Sequence, residues 1–249
     1  MYVYRSGNPA LSDATFEKSS YSESDWWDDD SHLMSMEGTA EKTAILLIIT
    51  ATAGIATAMM MPAAALLVIV GFLGGFITAM IVIFSGSTNP ALICTYAAFE
   101  GLALGGMTWF FEQAFPGIGL QAMLLTFLIL GSMLLIYRAG LIAWNQNLAI
   151  AVSSSLLAIV LIYIVSFLGP FFGFEVPYIH GSGNIGIAFS LFVIGIGALC
   201  LVADFDFIEK GVERGAPKQL EWRAAFGLMV TLVWLYLEIL KLLAKLRSR

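Results

Sequence analysis

Asp204-Phe205-Asp206 sits where an apolar run, Ile185 to Val202, gives out. Two further acids lie in apolar surroundings: Glu100 in Tyr96-Ala97-Ala98-Phe99-Glu100-Gly101-Leu102, and Glu238 in Leu235-Tyr236-Leu237-Glu238-Ile239-Leu240. An ionisable group within such a run is costly to bury and marks a candidate functional site. Low dielectric favours the neutral form of a carboxyl, and a second carboxyl nearby favours it further in one of the two. Such a pair shares a proton when closed and separates when both members ionise, which is the chemistry of a pH-dependent latch. Ionised, the same oxygens suit a hard cation such as Ca²⁺. Asp204 and Asp206 are about 200° apart around a helix and do not face one site. Asp206 therefore reads as the more peripheral acid, with Lys210 four residues on as its partner. Asp204 is the stronger latch candidate. Glu238 is either a latch member or the partner of Lys241 at i+3. Glu100 is either a site member or a structural hydrogen-bonding group.

The elements that position these acids are legible from hydropathy. The chain of 249 residues is 59% hydrophobic and only 12% charged, about half the charge of an ordinary soluble domain. Its mean hydropathy is +0.86. From Thr43 to Phe205 the sole Lys or Arg is Arg138, and the acids are Glu100, Glu112, Glu175 and Asp204. The expected fold is an all-α polytopic membrane protein with seven spans. These run about Thr43–Met60, Ala64–Phe84, Ala91–Phe111, Leu120–Tyr137, Leu148–Leu168, Ile185–Phe207 and Ala224–Leu243. Glu100 lies about 15 Å into the third, near the middle of a hydrocarbon layer about 30 Å thick. The small residues around it, Ala97, Ala98, Gly101, Gly105 and Gly106, favour contact with other helices over lipid. Pro62 ends the first span.

Residues 1–40 read as a polar tail without persistent period, disordered or loosely attached, and residues 41–249 as the transmembrane domain. Trp26-Trp27-Asp28-Asp29-Asp30 within the tail reads as a solvated acidic linker. No apolar signal-peptide region is visible in the first 40 residues. Cys94 and Cys200 fall in apolar segments and read as packing residues, not a disulfide. Trp144, between spans four and five, reads as an interfacial residue. Ser153-Ser154-Ser155 reads as hydrogen-bonding to the helix backbone or to a neighbouring helix. His180 lies in the long loop Pro170–Gly183, and nothing in the sequence joins it to a serine. Glu209, Lys210, Glu213, Arg214, Lys218, Glu221 and Arg223 mark an aqueous loop between spans six and seven. If the N-terminus is cytoplasmic, Arg138, Lys210, Arg214 and Lys218 lie inside and the opposite loops carry no Lys or Arg, as the positive-inside rule asks. The basic end, Lys241 to Arg249, does not follow that rule. The last segment then either crosses despite its charges or re-enters.

The stretch around Glu100, Asp204-Phe205-Asp206-Phe207-Ile208, Leu235-Tyr236-Leu237-Glu238, and the run from Glu221-Trp222-Arg223 through Leu243 together resemble the Bax inhibitor (TMBIM) family, in its bacterial YccA/YetJ-like branch. The resemblance covers about residues 40–246. It implies a bundle with the last helix central, and a pH-sensitive Ca²⁺ leak through the membrane gated by acids on helices six and seven. Matched by motif, those acids are Asp204 and Glu238, which would also meet Ca²⁺ transiently as metal ligands. By position alone Asp204 could instead face Glu100. The expected location is the cell membrane, multi-pass, as in a bacterial inner membrane. The expected partners are the lipid bilayer and the calcium ion, with no cofactor and no nucleic acid. The second reading is a non-conducting regulatory protein that binds a membrane protease or other assembly through Tyr2 to Glu41. A proton-coupled transporter would show paired interrupted spans, and no internal repeat is visible. With no metal-ligand cluster, phosphate-binding loop or nucleophile–base pair, an enzyme is not expected.

Overall fold

The computed structural model describes residues 32–173 and 181–248. The expectations placed on Trp26–Asp30, on the rest of residues 1–31 and on His180 lie outside those residues. Seven helices among the described residues are long and apolar enough to cross a membrane. They are α1 Met36–Met60, α2 Ala65–Ser85, α3 Pro90–Ala114, α4 Ile118–Arg138, α5 Gln146–Leu168, α6 Asn184–Glu213 and α7 Leu220–Arg247. A single 3₁₀ turn, Gly169–Phe172, extends α5. The described residues contain no strand, only an isolated antiparallel bridge between Leu33 and Pro217. The all-α, seven-span expectation is correct. The two last helices are the most buried, over 50% and 67% of their most apolar stretches against 17–39% for the other five.

The ends of the helices differ from the hydropathy reading because local hydrogen bonding, not apolarity, decides them. α1 starts at Met36, seven residues before Thr43 and inside the expected tail. Ser35 caps it: its Oγ accepts from the Gly38 amide at 2.9 Å, satisfying one of the four amides a helix start leaves unpaired. Nor are the residues just before it loosely attached. The Met34 amide donates to the Ala216 carbonyl at 2.7 Å, and the Lys218 amide donates to the His32 carbonyl at 2.9 Å. At the other end of the molecule's sequence, α6 continues past Phe207 to Glu213 and α7 begins at Leu220. The expected aqueous loop thus shrinks to a turn in which Gly215 takes a φ of +63°, the left-handed conformation that commonly follows a helix. α7 is one unbroken helix of 28 residues, long and apolar enough to cross a membrane.

The chain packs as two compact units, and α6 and α7 contribute to both. The first comprises the described residues up to Phe110 together with Asp204–Val230. Here α3 meets α1 and α2 through glycine. A Cβ placed on Gly105 would lie 2.2 Å from the Gly54 carbonyl oxygen, and one on Gly71 would lie 2.6 Å from the Ala103 nitrogen. Small residues let backbones approach this closely, and the Thr50 hydroxyl uses the proximity to donate to the Ala97 carbonyl at 2.9 Å. Met34, Ile208, Ala216, Leu220 and Ala224 form an apolar cluster under the Leu33–Pro217 bridge.

The second unit comprises Phe111–Ala203 and the chain from Thr231 onward. Its core gathers Val152 and Ile159 of α5 with Val193, Ile196 and Cys200 of α6. Trp144 belongs to this core at 6% exposure, packed with Val152 and Val193, so it does not face lipid as an interfacial anchor would; the Asn145 cap, accepting from the Leu148 amide at 2.9 Å, starts α5 at Gln146. The Glu112 carboxylate accepts from the Gly117 and Gly119 amides at 2.7 and 2.8 Å, closing the turn between α3 and α4. Cys94 and Cys200 are both free thiols, and the Ser154 hydroxyl donates back to the Ile150 carbonyl at 2.8 Å, as expected.

Candidate functional site: carboxyls inside the spanning helices

Glu238 in the second unit is 2% exposed. Its Oε1 accepts from the Tyr163 hydroxyl of α5 at 2.9 Å and from the Lys241 ammonium, one turn along α7, at 2.5 Å. Lys241 also lies 4.9 Å from the centroid of the Tyr163 ring, close enough for a cation–π attraction. The i+3 pairing with Lys241 and the burial of the carboxyl occur together. The group opens on a cavity of about 410 Å³, whose wall includes Lys241, Lys245, Ser190, Phe111 and Phe189. Lys245 donates to the Gly186 carbonyl at 3.0 Å and to the Ser190 hydroxyl at 2.9 Å, at the start of α6. Arg247 donates to the Pro116 carbonyl and to Gln121 at 2.9 and 2.7 Å, at the start of α4.

Asp204 belongs to the first unit and is completely buried, with Leu201, Val202, Ala203 and Phe205 buried beside it on α6. Asp206 is only partly covered. Its carboxylate accepts from Lys210 at 2.5 Å, one turn on, with 32% of the lysine side chain exposed. That is the peripheral pairing expected of it. Glu100 shares the first unit with Asp204. It is half-buried, hydrogen-bonds with Tyr96 one turn earlier on α3, and lies against Gly75 of α2, where a Cβ would come 3.0 Å from its Oε1. Tyr96 in turn stacks edge-on against Phe226 of α7 at 4.8 Å.

Two buried charged residues escaped the sequence reading. Glu221, placed in the aqueous loop by its charged neighbours, is 0% exposed in the first turn of α7. It accepts from the Ser35 amide at 2.9 Å, from the Ser35 hydroxyl at 3.1 Å and from the Lys42 ammonium. A Cβ on Gly38 would fall 2.4 Å from the same carboxylate, so glycine at that position leaves the acid its room. Arg223, also read as loop, is 5% exposed, with Nη1 against Gly86, whose φ is +67°. A seven-charge stretch looks like solvent in sequence. The one local hint was Ser35, a helix-capping residue type placed just before Glu37 and Glu41.

Among the described residues no three His, Cys, Asp or Glu side chains come together in a way that could hold a metal ion. In comparison with known proteins, a family profile described as Bax inhibitor 1 like matches residues 8–248. The match reaches well into the N-terminal segment that the sequence reading left outside the resemblance. No curated protein matches the chain.

Proposed function

The chain belongs to the Bax inhibitor 1 like family, and from that premise we propose that it is a pH-sensitive cation leak channel, with Ca²⁺ as the ion it passes. It sits multi-pass in the cell membrane, as a member of the family's bacterial YccA/YetJ-like branch in an inner membrane. The observation that carries the reading is the burial of Asp204 at 0% and Glu238 at 2% exposure on consecutive spanning helices. An acid kept out of water inside a span needs a reason beyond stability, since replacing a buried ionic group with an apolar one is often neutral or stabilising. Titration is that reason. A proton on Glu238 cancels the charge that holds Lys241, and leaves the ammonium to turn toward the cavity it already lines. Among the described residues, Tyr163 on α5 and Lys241 and Lys245 on α7 are the other titratable groups around that acid. Asp204 supplies the second buried carboxyl, as the family resemblance assigns it, and Glu100 is the alternative member. The high burial of α7 agrees with a central place for that helix. The engagement of Lys241, Lys245 and Arg247 by protein groups removes much of the cost of a basic end on the less basic face. The test is Ca²⁺ uptake by proteoliposomes at several pH values: uptake above that of empty liposomes, changing with pH, is expected. Uptake equal to empty liposomes at every pH contradicts the proposal.

A non-conducting regulator that binds a membrane protease or another assembly is the second reading. What favours it is the pairing of His32 and Met34 with Lys218 and Ala216, which makes the end of the N-terminal segment part of a folded surface.

A further inference from the structure

A second cavity, of about 780 Å³, opens in the first unit between the start of α1, the turn between α2 and α3, and the start of α7. Its walls carry His32, Lys42 and Lys218, the side chains of Ser87 and Thr88, and the indole of Trp222. Among the described residues no carboxylate lines it. Lys42 stands 5.7 Å from the Trp222 ring centroid and spends part of its charge on buried Glu221. Arg223 stands behind the wall, its Nη1 packed against Gly86, which itself lines the cavity. Lys218 is exposed, and its backbone is fixed by the hydrogen bond to His32. The cavity therefore combines cations, hydroxyls and one amphipathic aromatic at the ends of spanning helices, the depth at which lipid headgroups lie. Basic pockets between helix ends on the cytoplasmic side suit anionic headgroups. Its volume is that of a ligand site, not of a single ion.

We propose that this cavity is a phosphate-recognition site, filled in the membrane by the headgroup of an anionic phospholipid. Lys218 and Lys42 meet the phosphate oxygens, Ser87 and Thr88 donate hydrogen bonds to the headgroup, and Trp222 fixes its depth. The site is independent of the conduction reading: it shares no residue with Glu238, Asp204 or Glu100. The test uses the full chain in neutral detergent, with the unfolding temperature followed during titration with short-chain phosphatidylglycerol, short-chain phosphatidylcholine or inorganic phosphate. Phosphatidylglycerol is expected to raise it saturably, with phosphatidylcholine ineffective over the same range. Lys218→Gln is expected to raise the half-saturating concentration about tenfold, the size of one lost charge-assisted contact. Lys218→Arg is expected to retain binding, and Arg214→Gln, on the same turn but outside the cavity lining, to leave it unchanged. Equal stabilisation by the two lipids, or equal weakening in Lys218→Gln and Arg214→Gln, overturns the site. Inorganic phosphate acting as tightly as the lipid, with the same Lys218 dependence, overturns the lipid assignment and makes the ligand a soluble phosphate.

Discussion

Glu238 and Glu221 are both acids of α7, both almost wholly buried, and both paired with a lysine. They differ in what surrounds the pair. Glu221 is held by the backbone and side chain of Ser35 as well as by Lys42, and ties the start of α1 to the start of α7. Glu221→Ala leaves Lys42 without its carboxylate in a site where 14% of the lysine side chain is exposed. We expect a loss of about 3 kcal/mol, the low end for a broken buried pair, read as a lower unfolding midpoint in detergent. A midpoint within error of wild type would contradict the structural role. Glu238 faces a cavity instead, and its second partner is the Tyr163 hydroxyl. Tyr163→Phe should cost about 1.5–3 kcal/mol, the range for a hydrogen bond to a charged group, while altering the pH profile of flux. Of these residues the sequence disclosed Asp204, Glu238 and Glu100, because a carboxyl inside an apolar run stands out. Lys241 was legible as an i+3 neighbour. Tyr163 was not, since it lies on another helix, 75 residues away in sequence. Glu221 was hidden by the charges on either side of it.

Among the elements, the spans themselves were plain from hydropathy, and their ends were not. An apolar run measures how much of a helix suits lipid. It says nothing of the polar turns that capping and tertiary hydrogen bonds add, such as Met36–Lys42 at the start of α1 or Ile208–Glu213 after the apolar part of α6. The glycine seam between α1 and α3 was foreshadowed by the small residues near Glu100, and its consequence is testable. Gly105→Ala puts a methyl 2.2 Å from the Gly54 carbonyl oxygen, where the backbone has to give way. The expected cost is about 1–3 kcal/mol of overpacking. Gly131→Ala on α4, where a Cβ would meet nothing within 4 Å, serves as the control and should be neutral or slightly stabilising by helix propensity. Equal unfolding midpoints for the two variants would contradict the seam.

At the scale of the whole molecule, the N-terminal segment separates the two functional readings. Truncation has to stop before His32, because His32, Met34 and Ser35 hold the turn before α7 and the carboxylate of Glu221. Removing residues 1–31 is expected to leave folding and Ca²⁺ flux intact in the channel reading; in the regulatory reading it abolishes partner capture. Sequence order alone showed the two buried acids on successive spans, but not how a protonation would be felt, since that depends on Tyr163, Lys241 and the cavity beside them. The most direct test of the gating claim compares Ca²⁺ flux into proteoliposomes, from mildly acidic to mildly alkaline pH, for wild type, Asp204→Asn, Glu238→Gln and Glu100→Gln. The account predicts a pH-dependent flux in wild type and Glu100→Gln whose dependence is lost in Asp204→Asn and in Glu238→Gln. A wild-type profile retained in both of those variants would contradict it.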